Sequence, residues 1–390
     1  MNKSIHELVI DGSDYVVKLR RHFRAFPELG GEEYETQKKI IAELTAMGLQ
    51  PRLAAGTGVI AEIKGGQQGK TVAIRADIDA LPIQDEIEQP YHSQHVGRCH
   101  ACGHDGHTAM LLGIAKVFNT IKEELPGTIR LLFQPSEEKF PGGALAMIAD
   151  GAVEGVDAVI GAHLWQPLAI GTMGLTYGPM MASPDEFTIT IKGSGGHGSM
   201  PHQTIDPLYV GAQIVLALKT ITGNNVSTNE LAVLSLGVFK SGDAFNIIPD
   251  SATLKGTVRT FSQNTRETIF AAIDRICSGI CAAAGATYNL DSCYGFPPVV
   301  NNPEVAKVVA QAGETVLGKV AVIEMKPAMV GEDFSYYQQQ VPSCFMCIGV
   351  GNKDKGIVYP HHHPKFDMDE RALSNGVEIM VVSALNLLKA

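Results

Sequence analysis

The sequence predicts an α/β protein: a mostly parallel, mixed sheet with helices on its faces, and a ferredoxin-like βαββαβ domain inserted into it. Three observations carry this prediction. Helical and strand-like hydrophobic patterns alternate through the first half of the chain. After Gly178-Pro179 the pattern changes to strands that alternate apolar and polar residues, interspersed with two long helical runs. After Pro297-Pro298 the alternation of helix and strand resumes. A chain of 390 residues that is 45% hydrophobic can bury two cores.

Helical periodicity covers residues 4–24 and 35–48, and short β-rich runs follow at 59–63 and 71–74. Residues 107–120 read as a helix, 128–133 as a strand, 143–150 as a helix and 158–162 as a strand. In such sheets, loops at the carboxyl ends of strands hold ligands. Asp77 and Asp79 follow one predicted strand, Glu137 and Glu138 another, and His163 a third. In the middle region, 187–192 is a half-exposed strand, 207–221 a helix, 231–239 and 252–260 strands, 265–284 a helix and 287–294 a strand. The expected division is 1–182 with 296–390 as one discontinuous domain and 183–295 as the insertion. There are no internal repeats and no low-complexity linker.

The chain is acidic, with a formal charge of -10, and its Lys and Arg residues form no stripe, which argues against nucleic acid as a partner. No apolar run reaches membrane-spanning length, and the first residues lack the apolar core and cleavage site of a signal peptide. Seven cysteines, an odd number, argue against a secreted disulfide framework. A reducing cytoplasm is the simpler expectation, and it keeps a ligand thiol available.

The segment Cys99-His100-Ala101-Cys102-Gly103-His104-Asp105-Gly106-His107 concentrates thiols, imidazoles and a carboxylate between glycines. Such donors suit zinc or another first-row transition metal. In an extended stretch Cys102 and His104 point the same way and can face one cavity. His107 is either a third ligand or a hydrogen-bonding residue near a helix start. Cys99-x-x-Cys102 with Cys344-x-x-Cys347 has the spacing of a structural zinc site, but the second pair lies in an apolar strand-like run that suits core packing. Of the adjacent carboxylates Glu137 and Glu138, one can bind metal while the other addresses a water as a base. His163 ends a buried strand. His361-His362-His363 offers at least one more imidazole, without the sequence saying which. His197 lies in the Gly-rich run Gly193-Ser194-Gly195-Gly196-His197-Gly198, which lacks the lysine of a phosphate loop. That run is a simple turn, or it carries its histidine to a substrate.

Taken together, the motifs resemble those of the M20 metallopeptidase family, in particular its amidohydrolase branch of hippurate hydrolases, N-acyl-amino-acid amidohydrolases and auxin-conjugate hydrolases. The resemblance spans nearly the whole chain. It rests on Arg21-His22-Phe23-Arg24-Ala25-Phe26-Pro27-Glu28-Leu29, Arg75-Ala76-Asp77-Ile78-Asp79-Ala80-Leu81-Pro82 and the Cys102/His104 segment. It also rests on Gln134-Pro135-Ser136-Glu137-Glu138, Gly161-Ala162-His163, Gly196-His197 and the segment around His362.

The resemblance implies two divalent transition-metal ions, with zinc, manganese, cobalt and nickel all compatible. By it, Cys102 bridges the metals, His104 and His163 complete one side, and Glu138 and His362 the other. Glu137 matches the general base, and Asp79 a residue that orients the site; Asp105 is a further candidate for that task. His197 matches a histidine that donates to the oxyanion, commonly from the partner subunit. Asn246 and Arg259 match lid positions that hold a substrate carboxylate; a turn cap and a strand-edge ion pair are their plain alternatives. Two departures stand out: Cys99 replaces a frequent methionine, and the His361-His362-His363 run replaces a single histidine, so that His362 is chosen by alignment to Pro364 and Phe366. The implied protein is a cytoplasmic homodimer, paired through its inserted lid domain, that cleaves N-acyl amino acids into a carboxylic acid and a free amino acid. A dipeptidase or aminopeptidase of the same family would need an acidic group for a free α-amine, and none stands out. A non-catalytic metal-binding protein would not need Glu137.

Overall fold

A computed structural model describes residues 3–390. Met1 and Asn2, which open the expected 1–182 segment, lie outside the described residues. The chain divides into two compact units: Met1–Met180, Val300–Lys326 and Asp333–Ala390 form the first, Met181–Val299 and Pro327–Glu332 the second. The expected division leaves all of 296–390 in the first domain, so the short return of Pro327–Glu332 is a difference. Its cause is a backbone ladder that no side-chain pattern reveals. Ala182 N–H donates to Ala328 O at 3.1 Å, and Met181 forms a parallel bridge with Ala328.

The first unit is built on an eight-stranded mixed sheet. Its centre is four parallel strands, in the order Pro126–Gln134, Gln67–Asp77, Ala158–Ala169 and Ser343–Gly351. Gly58–Lys64 and Arg52–Ala54 extend one side antiparallel. Met173–Leu175 and Val322–Glu324 extend the other. Where they lie side by side the central strands are buried, as strands covered on both faces must be: Ser343–Gly351 at every position except the last, and Gln67–Asp77 from Val72 onward. Gln67–Asp77 lies between the two strands that follow it in the chain, so successive connections leave it in opposite directions. That reversal opens a crevice at the carboxyl ends of the strands.

Helices Ile5–Ala25, His104–Thr120 and Arg371–Lys389 pack on one another, and the last packs also on Pro303–Leu317. Ile5–Ala25 opens with a capping box in which the Ser4 and Glu7 side chains each satisfy the other's backbone N–H. Two arginines of this helix are fully buried. Arg24 reaches both carboxylate oxygens of Asp85 at 3.0 and 2.8 Å, and the carbonyls of His100 and Phe366 at 2.6 and 2.9 Å. Arg20 reaches Asp105 at 2.8 Å and Asp367 at 2.6 Å.

The second unit is a four-stranded antiparallel sheet, in the order Ala232–Ser241, Ser251–Thr260, Ser183–Lys192 and Thr287–Cys293. Helices Pro207–Leu218 and Gln263–Ala284 pack on it around a core that includes Phe187, Ile189, Ile191, Ile214 and Ile273. The side chains of Asp206 and Ser262 cap the two helices.

Candidate metal centre

Gly103 makes the turn that forms this site. Its φ of 96° lies in the left-handed region, and helix His104–Thr120 starts at the next residue. The Cys102–His104 stretch is therefore not extended, and the helix starts three residues before its expected position at His107. The chain reverses at the glycine and aims Cys102 and His104 at one point from either side of the turn. Gly106 lets the first helical turn lie against the strand bearing His163: a Cβ there would stand 2.3 Å from Leu164 Cδ1.

Ligand atoms of Cys102, His104 and His163 all lie within 4.8 Å of one another, and so do those of Cys102, Glu138 and His362. Cys102 is common to both triplets. Its Sγ is 3.4 Å from His163 Nε2. Glu138 Oε1 is 3.2 Å from His362 Nε2 and 3.9 Å from His104 Nε2. Glu137, buried beside Glu138, forms a further group with His104 and Glu138. No such group among the described residues contains Cys99, Cys344 or Cys347, so the cysteine pairs do not assemble a four-thiolate site. Burial raises the Cys99 and Cys344 thiols, as suits small core residues.

Backbone and carboxylate partners fix each imidazole. His104 Nδ1 faces two acceptors, the carbonyl and a carboxylate oxygen of Asp79, at 2.9 and 3.3 Å. Nδ1 therefore carries a proton, and Nε2 is the nitrogen turned toward the cluster. The other Asp79 oxygen accepts from Glu138 N at 3.0 Å, so one carboxylate sets both residues. His163 Nδ1 donates to Leu164 O at 3.0 Å, which turns its Nε2 toward Cys102. His107 uses both nitrogens: Nδ1 meets Asp77 at 2.5 Å, and Nε2 accepts from Leu164 N at 2.8 Å. It is a hydrogen-bonding residue, not a third ligand. Asp105 is spent on Arg20 and orients none of these groups.

The three consecutive histidines separate cleanly. His361 Nε2 donates to Leu164 O at 2.9 Å. His363 Nδ1 accepts from Lys365 N at 3.0 Å. His362, with a φ of 63° and its N–H on Ala101 O at 2.8 Å, alone of the three faces Glu138.

The electrostatics suit a cation. Burial, with the carboxylates of Glu138 and Glu137 adding to it, pushes the Cys102 thiol well above its usual range. Burial opposes charge on His104, but Asp77, Asp79 and Glu138 raise it to about 10. Burial drives His163 well below its usual range. His104 Nε2 and Glu138 Oε1 are buried and have no hydrogen-bond partner of proper geometry. An imidazole nitrogen and a carboxylate oxygen left so in one cluster, beside a thiol, are a donor set that divalent cations fit once the imidazole gives up its proton.

A family model, Peptidase family M20/M25/M40, matches residues 73–386. The chain belongs to that family. It is 47% identical over 303 residues to the N-acyl-L-amino acid amidohydrolase of Geobacillus stearothermophilus, covering 77% of this chain and 82% of that one. It is 40% identical over 375 residues to the N-acetyl-L-cysteine deacetylase of Bacillus subtilis, covering 96% and 88%. Among solved structures, the YXEP protein of Bacillus subtilis, a dinuclear metal binding peptidase from the M20 family, superposes with a TM-score of 0.86 at 35% identity, covering 97% and 99% of the two chains.

In this M20 chain the remaining expected site residues lie in the second unit, whereas the cluster is built wholly from the first. His197 is exposed on a two-stranded ribbon, paired with Ile247, and its Nδ1 accepts from Ser199 N at 3.1 Å. Asn246 is exposed beside it, its carbonyl accepting from Gly198 N at 2.8 Å. Arg259 is half-buried in the sheet and donates to the Asp185 and Val258 carbonyls at 3.3 and 3.2 Å. It is not in the strand-edge ion pair weighed as its plain alternative: the Asp185 carboxylate is held by Arg266 instead.

A supporting relay escaped the sequence reading. Arg75 donates to Asp77 at 2.6 Å, to Asp333 at 2.7 Å and to Gln134 at 2.9 Å. Asp333 also accepts from Ala144 N at 3.1 Å. The available signal was a pair of opposite charges two residues apart, Arg75 and Asp77, at the buried end of a strand.

Proposed function

We propose that this protein is a metal-dependent amidohydrolase that splits N-acyl amino acids into a carboxylic acid and a free amino acid. The observation that carries the reading is the membership of Cys102 in two ligand triplets, Cys102–His104–His163 and Cys102–Glu138–His362, with Glu137 beside them. Two divalent cations, drawn from zinc, manganese, cobalt and nickel, would be held with Cys102 shared between them. When bound, the cations supply Lewis acidity toward a water and the scissile carbonyl. Glu137 takes the proton of the attacking water and returns it to the leaving nitrogen. Asp79 holds His104 and Glu138 in register. His197 donates to the oxyanion, and Asn246 and Arg259 hold the substrate carboxylate. Family membership and the relatives named for N-acyl amino acid and N-acetylcysteine hydrolysis support this substrate class.

The homodimer is proposed to form through the second unit. Tyr209 and Leu216, exposed on helix Pro207–Leu218, and the open edge of strand Ala232–Ser241 support that interface. A cytoplasmic location would keep the unpaired Cys102 thiol reduced.

The test is a hydrolysis screen. Protein stripped of metal is reconstituted separately with each of the four cations and assayed on N-acetyl, N-benzoyl and indoleacetyl amino acids, with free-amine dipeptides as counter-screen. Turnover of N-acyl amino acids over dipeptides is expected. Preference for the dipeptides, or no turnover of any conjugate with any cation, overturns the reading.

A further inference from the structure

The peptide of Leu164 gathers three imidazoles, of which only His163 has a role in the chemistry above. His107 accepts from its N–H at 2.8 Å. Its carbonyl accepts from His163 Nδ1 at 3.0 Å and from His361 Nε2 at 2.9 Å. The His361 ring lies 4.7 Å from the Trp165 ring at an interplanar angle of 31°, and meets the His163 ring nearly edge-on at 5.0 Å. Phe366 closes its other side at 5.0 Å. His361 is thus held by a ring stack and a hydrogen bond, both anchored on the strand that presents His163. One residue later the backbone adopts the left-handed conformation that turns His362 toward Glu138. A non-glycine residue stays in that region only where its surroundings impose it.

We propose that His361 is a positioning residue that fixes the distance between His163 and His362, by tying the loop bearing one to the carbonyl that orients the other. This rests on the ligand assignment proposed above. A leucine or phenylalanine would fill the same pocket but could not donate to Leu164 O. The residue therefore acts through its N–H, and the loop tip loses its register to the sheet without it.

The test is cation binding by the full-length protein, with manganese and cobalt as probes. Affinity is measured by calorimetry, and the thiolate–cobalt absorption band serves as the spectroscopic signature. In His361→Phe, which keeps the ring stack, affinity for at least one cation is expected to fall about 10–100-fold and the cobalt band to shift. His361→Gln, which keeps a donor, is expected to restore both. Wild-type affinity and spectrum in His361→Phe overturn the proposal. Equal weakening in the Gln and Phe variants also overturns it, because packing and not the N–H would then matter. Should the Phe variant fail to fold, the Gln variant must still bind both cations like wild type, and weakened binding there is a refutation. His163→Ala run in parallel separates the two levels. If it keeps full stoichiometry, the ligand assignment itself fails; if it loses a cation while His361→Phe keeps wild-type affinity, only the role of His361 fails.

Discussion

Glu137 and Glu138 are neighbours of the same chemical type, and only their surroundings distinguish them. Glu138 has its backbone N–H on Asp79 and its Oε1 against His362, and these contacts commit it to the cluster. Burial would raise its carboxyl, but His362 and His104 hold it below the usual range. Glu137 is buried beside it and groups with His104 and Glu138. Glu137→Gln should keep both cations by elemental analysis while kcat falls by at least about 10²–10⁴-fold, the usual contribution of a positioned base. Asp79→Ala removes the carboxylate that serves both His104 and Glu138. A loss of about 10–100-fold in cation affinity is expected, read by competition with a chelator, with the fold intact by circular dichroism. Unchanged affinity there would mean that the Asp79 carbonyl alone suffices to orient His104.

At the scale of elements, Arg24 on the first helix links two loops that share no sequence motif. It donates to His100 O in the loop leading to Cys102, to Phe366 O just after the three histidines, and to both oxygens of buried Asp85. Arg24→Met strands the Asp85 charge in the interior, and unfolding in denaturant should show a loss of about 3–5 kcal/mol. This also explains what could be read in the chain before folding. The periodicities at 4–24 and 265–284 and the buried runs at 128–133 and 158–162 were legible because each is a local pattern. The strand ends then located Asp79, Glu137 and Glu138, because the carboxyl end of a parallel strand is a defined place; His163 differs, since its strand does not end at 162 but runs on to Ala169 and leaves the residue in mid-strand. Nothing local marks Arg20 and Arg24 as buried, since their partners Asp105, Asp367 and Asp85 lie too far along the chain for any spacing rule. Among His361, His362 and His363 only the resemblance picked His362; the left-handed turn that aims it at Glu138 is a backbone property that three identical side chains cannot signal. The turn at Gly103 was hidden for a related reason: i and i+2 share a face only while the strand continues.

Across the whole molecule, the site is a stability element as well as a reactive one. A cation that binds only the folded state stabilises it by about 4 kcal/mol when free at 1,000 times its Kd. Removing divalent ions with a chelator should therefore lower the unfolding midpoint and abolish turnover together, and adding back manganese or cobalt should restore both. In His163→Ala the same addition should raise the midpoint less.

The role proposed for His197 makes a sharper demand on the assembly. The cluster belongs to one compact unit, and His197 stands exposed on a ribbon of the other with Asn246 beside it. A histidine so placed serves its own chain or a second copy, and the two cases differ in arithmetic. His197→Ala and Glu137→Ala should each be nearly inactive. If His197 acts across a dimer, a mixed dimer of the two variants rebuilds one complete site, with Glu137 from one protomer and His197 from the other. Random exchange of equal amounts makes half the dimers mixed, each with one good site of two, so about one quarter of wild-type activity should return. If His197 acts within its chain, every site in every dimer lacks one of the two groups and nothing returns. Native mass spectrometry verifies the exchange, so a silent mixture with proven heterodimers would remove the partner subunit from the mechanism.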